Sequence, residues 1–115
     1  IKTNTRRGGI IENLYVRNVN VGEVGDAVIR VNMKYDPKEN SDSSFLPVIR
    51  NINISNVKSK KSKYGVRLEG LDNSKIRDIK IWDCNFEGVN SGNIIQNVEG
   101  NIFKNVQING VILKN

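Results

Sequence analysis

Histidine is absent from these 115 residues, and cysteine occurs once, at Cys84. With no second thiol an intramolecular disulfide is excluded, and with no His either the usual ligand set for a zinc site is missing. No apolar run is long enough to cross a membrane, and no stretch reads as a signal peptide. Nowhere do apolar residues recur with the period of an amphipathic helix, which argues against an α-rich fold. Acids are also outnumbered: twelve Asp and Glu stand against eighteen Lys and Arg, for a net charge of +6. Such a balance suits an acidic partner, whether nucleic acid, an anionic membrane or a uronic-acid polysaccharide. The basic run from Lys58 to Lys63 lacks interleaved aromatics and reads as a solvated turn between strands, so neither nucleic acid nor membrane is expected. No cofactor is indicated.

What the chain does have is repetition. Ile49, Ile52, Ile54 and Val57 alternate with polar residues, among them Asn51 and Asn56. The same nine-position unit begins at Ile11, Ile76 and Phe103: apolar, any, Asn or Asp, apolar, any, apolar, any, Asn/Asp/Gly, then Val or Cys. The starts are spaced 38, 27 and 27 residues apart, so the first interval carries eleven residues beyond a 27-residue period. The acidic, Ser-rich stretch from Tyr35 to Ser44 accommodates them as a surface loop. Cys84 falls at a core-type position otherwise filled by Val, so it reads as a buried structural thiol.

A second, shorter strand follows in each period. Val28–Asn32 aligns with Gly65–Glu69 and then with Ile94–Asn97, each short, β-branched and alternating. A fixed period with two or more strands and no helix predicts an all-β right-handed parallel β-helix, a solenoid of about four rungs spanning residues 1–115 as one segment. The leucine-rich repeat has a similar pattern, but here the Asn comes one position too early and a strand replaces the helical half. Asn13, Asn51 and Asn105 share one register, and Asn18 and Asn56 another. Asn tolerates left-handed backbone and suits sharp corners, where stacked side chains can bond to one another. The formal glycosylation sequon at Asn53 lies mid-strand and carries little weight.

The stretch from Ile1 through Tyr35 and the later run from Tyr64 to Val89 resemble the C-terminal third of bacterial polygalacturonases of glycoside hydrolase family 28. That resemblance implies a right-handed parallel β-helix that cuts pectin. The family binds the substrate carboxylate through an Arg-Ile-Lys motif, whose last two residues look like Ile1-Lys2, and a Tyr at the same cleft matches Tyr35. Its catalytic motifs, an Asn-Thr-Asp, an Asp pair and a Gly-His-Gly, all precede Arg-Ile-Lys, and this chain has none of them. Inverting hydrolysis of a glycoside needs one carboxyl as acid and another to activate water. Asp78 and Asp83 fall at corners and Asp36 and Asp42 in the loop, so the chain alone is expected to be inactive and its β-helix incomplete at the N-terminal end.

Aligning the second strands puts Lys2, Arg30, Arg67 and Gln96 at equivalent outward positions, behind inward Ile1, Ile29, Val66 and Ile95. Three cations on successive rungs form a basic strip suited to a chain with one carboxylate per sugar; alternatively they are paired with Glu69 and Glu99. The expected site is thus substrate-binding Lys2, Tyr35, Arg30 and Arg67, with acidic polysaccharide as partner and an extracellular or periplasmic location. The alternative is a non-catalytic β-helical module, binding acidic polysaccharide or acting as an adhesin or spike. Self-association through an open N-terminal rung is also expected.

Overall fold

The computed structural model describes residues 9–33 and 47–114. Within them the chain is all β: β1 (Ile10–Glu23), β2 (Ala27–Asn32), β3 (Val48–Lys61), β4 (Tyr64–Glu69), β5 (Ile76–Phe86), β6 (Ile94–Gln96), β7 (Val98–Glu99), β8 (Ile102–Ile108) and β9 (Val111–Ile112). Long and short strands sort into two sheets, ordered β1-β3-β5-β8-β9 and β2-β4-β6, with β7 also on β5. Every pairing is parallel except the closing β8–β9 hairpin.

Local chemistry explains how fourteen residues form one strand and still bend twice. Asn13 and Asn18 in β1, Asn51 and Asn56 in β3, and Asp78 and Asp83 in β5 all have φ between 50 and 59°. An L-residue rarely adopts this left-handed region; Asn and Asp do so at least cost because the short polar side chain bonds locally. Each pair cuts its strand into three straight segments. The corners stack: the Asn51 amide donates to Asn13 Oδ1 at 2.6 Å, Asn56 to Asn18 at 2.7 Å, and Asn105 to Asp83 at 3.0 Å.

The alternate side chains between corners point inward and form one core. Val16, Ile54, Ile81 and Phe103 make one column across β1, β3, β5 and β8, and Cys84 stacks on Val106. From the other sheet Ile29 pairs with Val66 and Val31 with Leu68, and all four are buried in the same cluster. Cys84 is buried there as a free thiol, as its place in the repeat predicts. Asn53 is only 8% exposed, its amide on Asn51 at 3.2 Å.

The sequence alignment needs three corrections. The fourth copy pairs 22 residues from the third, not 27: Ile76 lies beside Val98 and Ile81 beside Phe103, so Asn105 occupies the second corner and Gly100 the first. The two corners of each copy are five residues apart, so a shift of five still overlays an Asn on an Asp. The shortening falls between the sheets, where the turn 70–75 of the third copy has no counterpart. In the second sheet Arg67 pairs with Ile94 and Glu69 with Gln96, so Gln96 is two residues out of the Arg30–Arg67 line. The basic run is mostly strand: Lys58, Lys60 and Lys61 project from β3 while Ser59 and Ser62 are buried. The surface loop assigned to 35–44 lies outside the described residues.

Where the pairing of the described strands stops short, Asn side chains complete it. Asn109 accepts from the Val89 amide at 2.9 Å and donates to its carbonyl at 2.8 Å, and Asn93 accepts from Val66 N at 2.9 Å.

Candidate functional site

The second sheet carries the candidate site. Arg30 on β2 and Arg67 on β4 are direct neighbours, as the repeat predicts, because inward Ile29 and Val66 on the same strands are buried and fix the alternation. Lys2 and Tyr35 lie outside the described residues.

The two guanidinium groups do not present bare charge. Asp26, in the turn before β2, is shared between them, its Oδ2 3.2 Å from Arg30 Nη1 and its Oδ1 2.9 Å from Arg67 Nη1. Glu69, two residues along β4 and so on the same face, receives Arg67 Nε at 2.6 Å. Arg67 also lies over the Tyr64 ring, 5.4 Å from its centroid, with Lys63 at 5.4 Å from the same ring. The hydrogen bond to Glu69, with its charge and that of Asp26, raises the Arg67 pKa against the opposing effect of burial. Two cations and two anions thus make a neutral, cross-linked cluster whose members are all partly exposed. Its chemistry is orientation: of the five N–H donors on Arg67, two are engaged by carboxylates and the rest are held in a fixed plane.

Glu69 is a partner that the sequence suggests. Glu99 instead takes Lys75 and Arg77, each at 3.1 Å, well away from this sheet. Asp26 and Tyr64 are the members that sequence reasoning misses. Asp26 lies 41 residues from Arg67 and reaches it only because β2 and β4 stack. Among the described residues no group of three or more Cys, Asp and Glu could hold a metal ion.

No protein-family model matches the chain, and no curated protein matches it significantly. Among solved structures, the hyperthermoactive exopolygalacturonase from Thermotoga maritima superposes with a TM-score of 0.87 at 37% identity, over 97% of this chain. The chain is polygalacturonase-like, akin to glycoside hydrolase family 28. It spans 24% of the length of that enzyme. The superposition over 97% of the chain takes in both sheets.

Proposed function

We propose that the chain is a C-terminal portion of a polygalacturonase-like hydrolase that acts on pectin or polygalacturonate, folded as a right-handed parallel β-helix of about four rungs. The 37% identity to an exopolygalacturonase over 97% of the chain carries this reading. Two parallel sheets paired in chain order, with stacked Asn corners, support the β-helix. In this reading the sheet of β2, β4 and β6 faces the polymer. Lys2 and Tyr35 bind the sugar at the reacting end, while Arg30 and Arg67 hold carboxylates farther along. The remaining chemistry, an acid and a base across the sugar ring, belongs to sequence this chain does not contain. Such an enzyme works outside the cytoplasm, where its substrate is.

The test is reducing-sugar release from polygalacturonate by the 115-residue chain and by the complete product of its gene. The reading expects none from the chain and release with inversion from the complete protein. A complete protein that binds polygalacturonate but releases no sugar would establish the non-catalytic module instead.

A further inference from the structure

Between its two corners the first sheet turns a face outward that is unlike the rest of the surface. One column runs Arg17, Ser55, Trp82, Lys104, and the column beside it holds Tyr15, Asn53 and Lys80. No acid stands among them, and Arg17, Lys80 and Lys104 form no ion pair among the described residues. One segment earlier on the same strands the outward row is charge-matched: Arg50 pairs with Glu12 at 2.6 Å and Arg77 with Glu99 at 3.1 Å. Arg30 and Arg67 on the other sheet are neutralised as well. Among the described residues the cations between the corners have no counter-ion, on a face that also exposes 68% of Tyr15.

The face is shaped as well as charged. Two adjoining hollows flank Trp82, one bounded by Tyr15, Arg17 and Ser55, the other by Lys80 and Lys104, with Asn53 shared between them as a floor. Strands in a sheet lie about 4.8 Å apart, so Arg17 and Lys104 are about 14 Å from one another with Trp82 between. An indole presents a flat apolar surface to the C–H face of a sugar ring, cations at either end take carboxylates, and Asn and Ser bond hydroxyls. We propose that this face binds a de-esterified polyuronate chain, on the sheet other than the one that carries Arg30 and Arg67. The choice of polymer rests on the function proposed above. A single nucleic-acid strand also combines stacking with anions, but the one indole with hydroxyl-bonding partners on the floor fits the sugar better.

Trp82 is the chain's one tryptophan, so its fluorescence reports this face alone. Titrating the 115-residue chain at low salt with a de-esterified oligogalacturonate should give a saturable change in emission. The triple variant Arg17→Gln/Lys80→Gln/Lys104→Gln should weaken it at least tenfold. Lys104→Gln alone, at the exposed end of the row, should shift it in the same direction by less. Arg30→Gln/Arg67→Gln should leave it unchanged, so failure of the cleft reading and failure of this one are separable. The proposal is overturned by an unsaturable response, by an unaltered response in the triple variant, by equal binding of the fully methyl-esterified oligomer, or by tighter binding of a single-stranded oligonucleotide.

Discussion

The corner residues show how much one side chain decides. Asn51 holds φ at 55°, donates to Asn13 and accepts from Asn53. Replacing it with Ala removes these bonds and with them the local side-chain bonding that makes left-handed backbone tolerable to Asn, which together cost about 2–3 kcal/mol. Asn51→Gly loses the bonds and keeps the conformation, so it should cost about 1 kcal/mol; urea unfolding of the two variants distinguishes them. Gly70 makes a different demand: a Cβ there would lie 2.3 Å from the Asn97 carbonyl oxygen, and Gly70→Ala should destabilise by about 3 kcal/mol. The corners were legible because Asn and Asp mark them in sequence; Gly70 was not, because Asn97 meets it only through stacking. Cys84 adds a pH dependence. Burial raises its thiol pKa, so the folded state holds the proton more tightly than the unfolded one. The associated stability is complete below the ordinary thiol value of about 8.5 and is lost as pH rises above it. Wild-type protein should therefore lose more stability between neutral and alkaline pH than Cys84→Val, which places there the residue the repeat uses elsewhere.

At the scale of strands, alternation and spacing identify each element of the first three copies but leave the register of the last ambiguous. The nine-position unit fits the fourth copy best from Phe103, five residues from the register it takes, because in that register Gly100 replaces the Asn or Asp of the first corner and Asn101 stands at the apolar position after it. The structure settles it through the core: with Ile81 on Phe103 and Cys84 on Val106, those two buried columns continue into the last copy. Gln96 was misplaced for a related reason, since β6 has only three residues and little alternation to fix it. The neutral cluster around Arg67 was half legible, because Glu69 lies on the same strand and Asp26 does not. Strands with neighbours on both sides exchange amide hydrogens only when the sheet opens, whereas an outer strand can fray. Hydrogen exchange should accordingly be slowest in β3 and β5, which are sandwiched in the first sheet, and in β4 of the second, and faster in β1 and β9. Equal protection of β1 and β3 would mean that β1 is covered as well.

At the scale of the whole molecule, the described strands form two stacked series whose two ends are finished differently. At the β8 end, Asn93 and Asn109 satisfy backbone groups with side-chain amides and the β8–β9 hairpin folds over the last strand. At the other end, Leu14, Val16, Val28 and Ile29 line an open apolar hollow, and Ile10 is largely exposed. No described strand lies beyond β1 or β2 in either sheet. Burying one such side chain stabilises by about 1.5–3 kcal/mol, so a layer of several competes with the entropy cost of association. A parallel sheet edge adds unpaired N–H and C=O groups that a second copy could bond. The 115-residue chain is therefore expected to self-associate reversibly through the β1–β2 end. Sedimentation should show a mass that rises with concentration, and Val28→Glu, which puts a charge into the hollow, should restore the monomer. The net charge of +6 opposes association through long-range repulsion, so added salt should strengthen it. A monomer at high concentration and high salt, with β1 amides as slow to exchange as those of β3, would show that this end already carries its own cover.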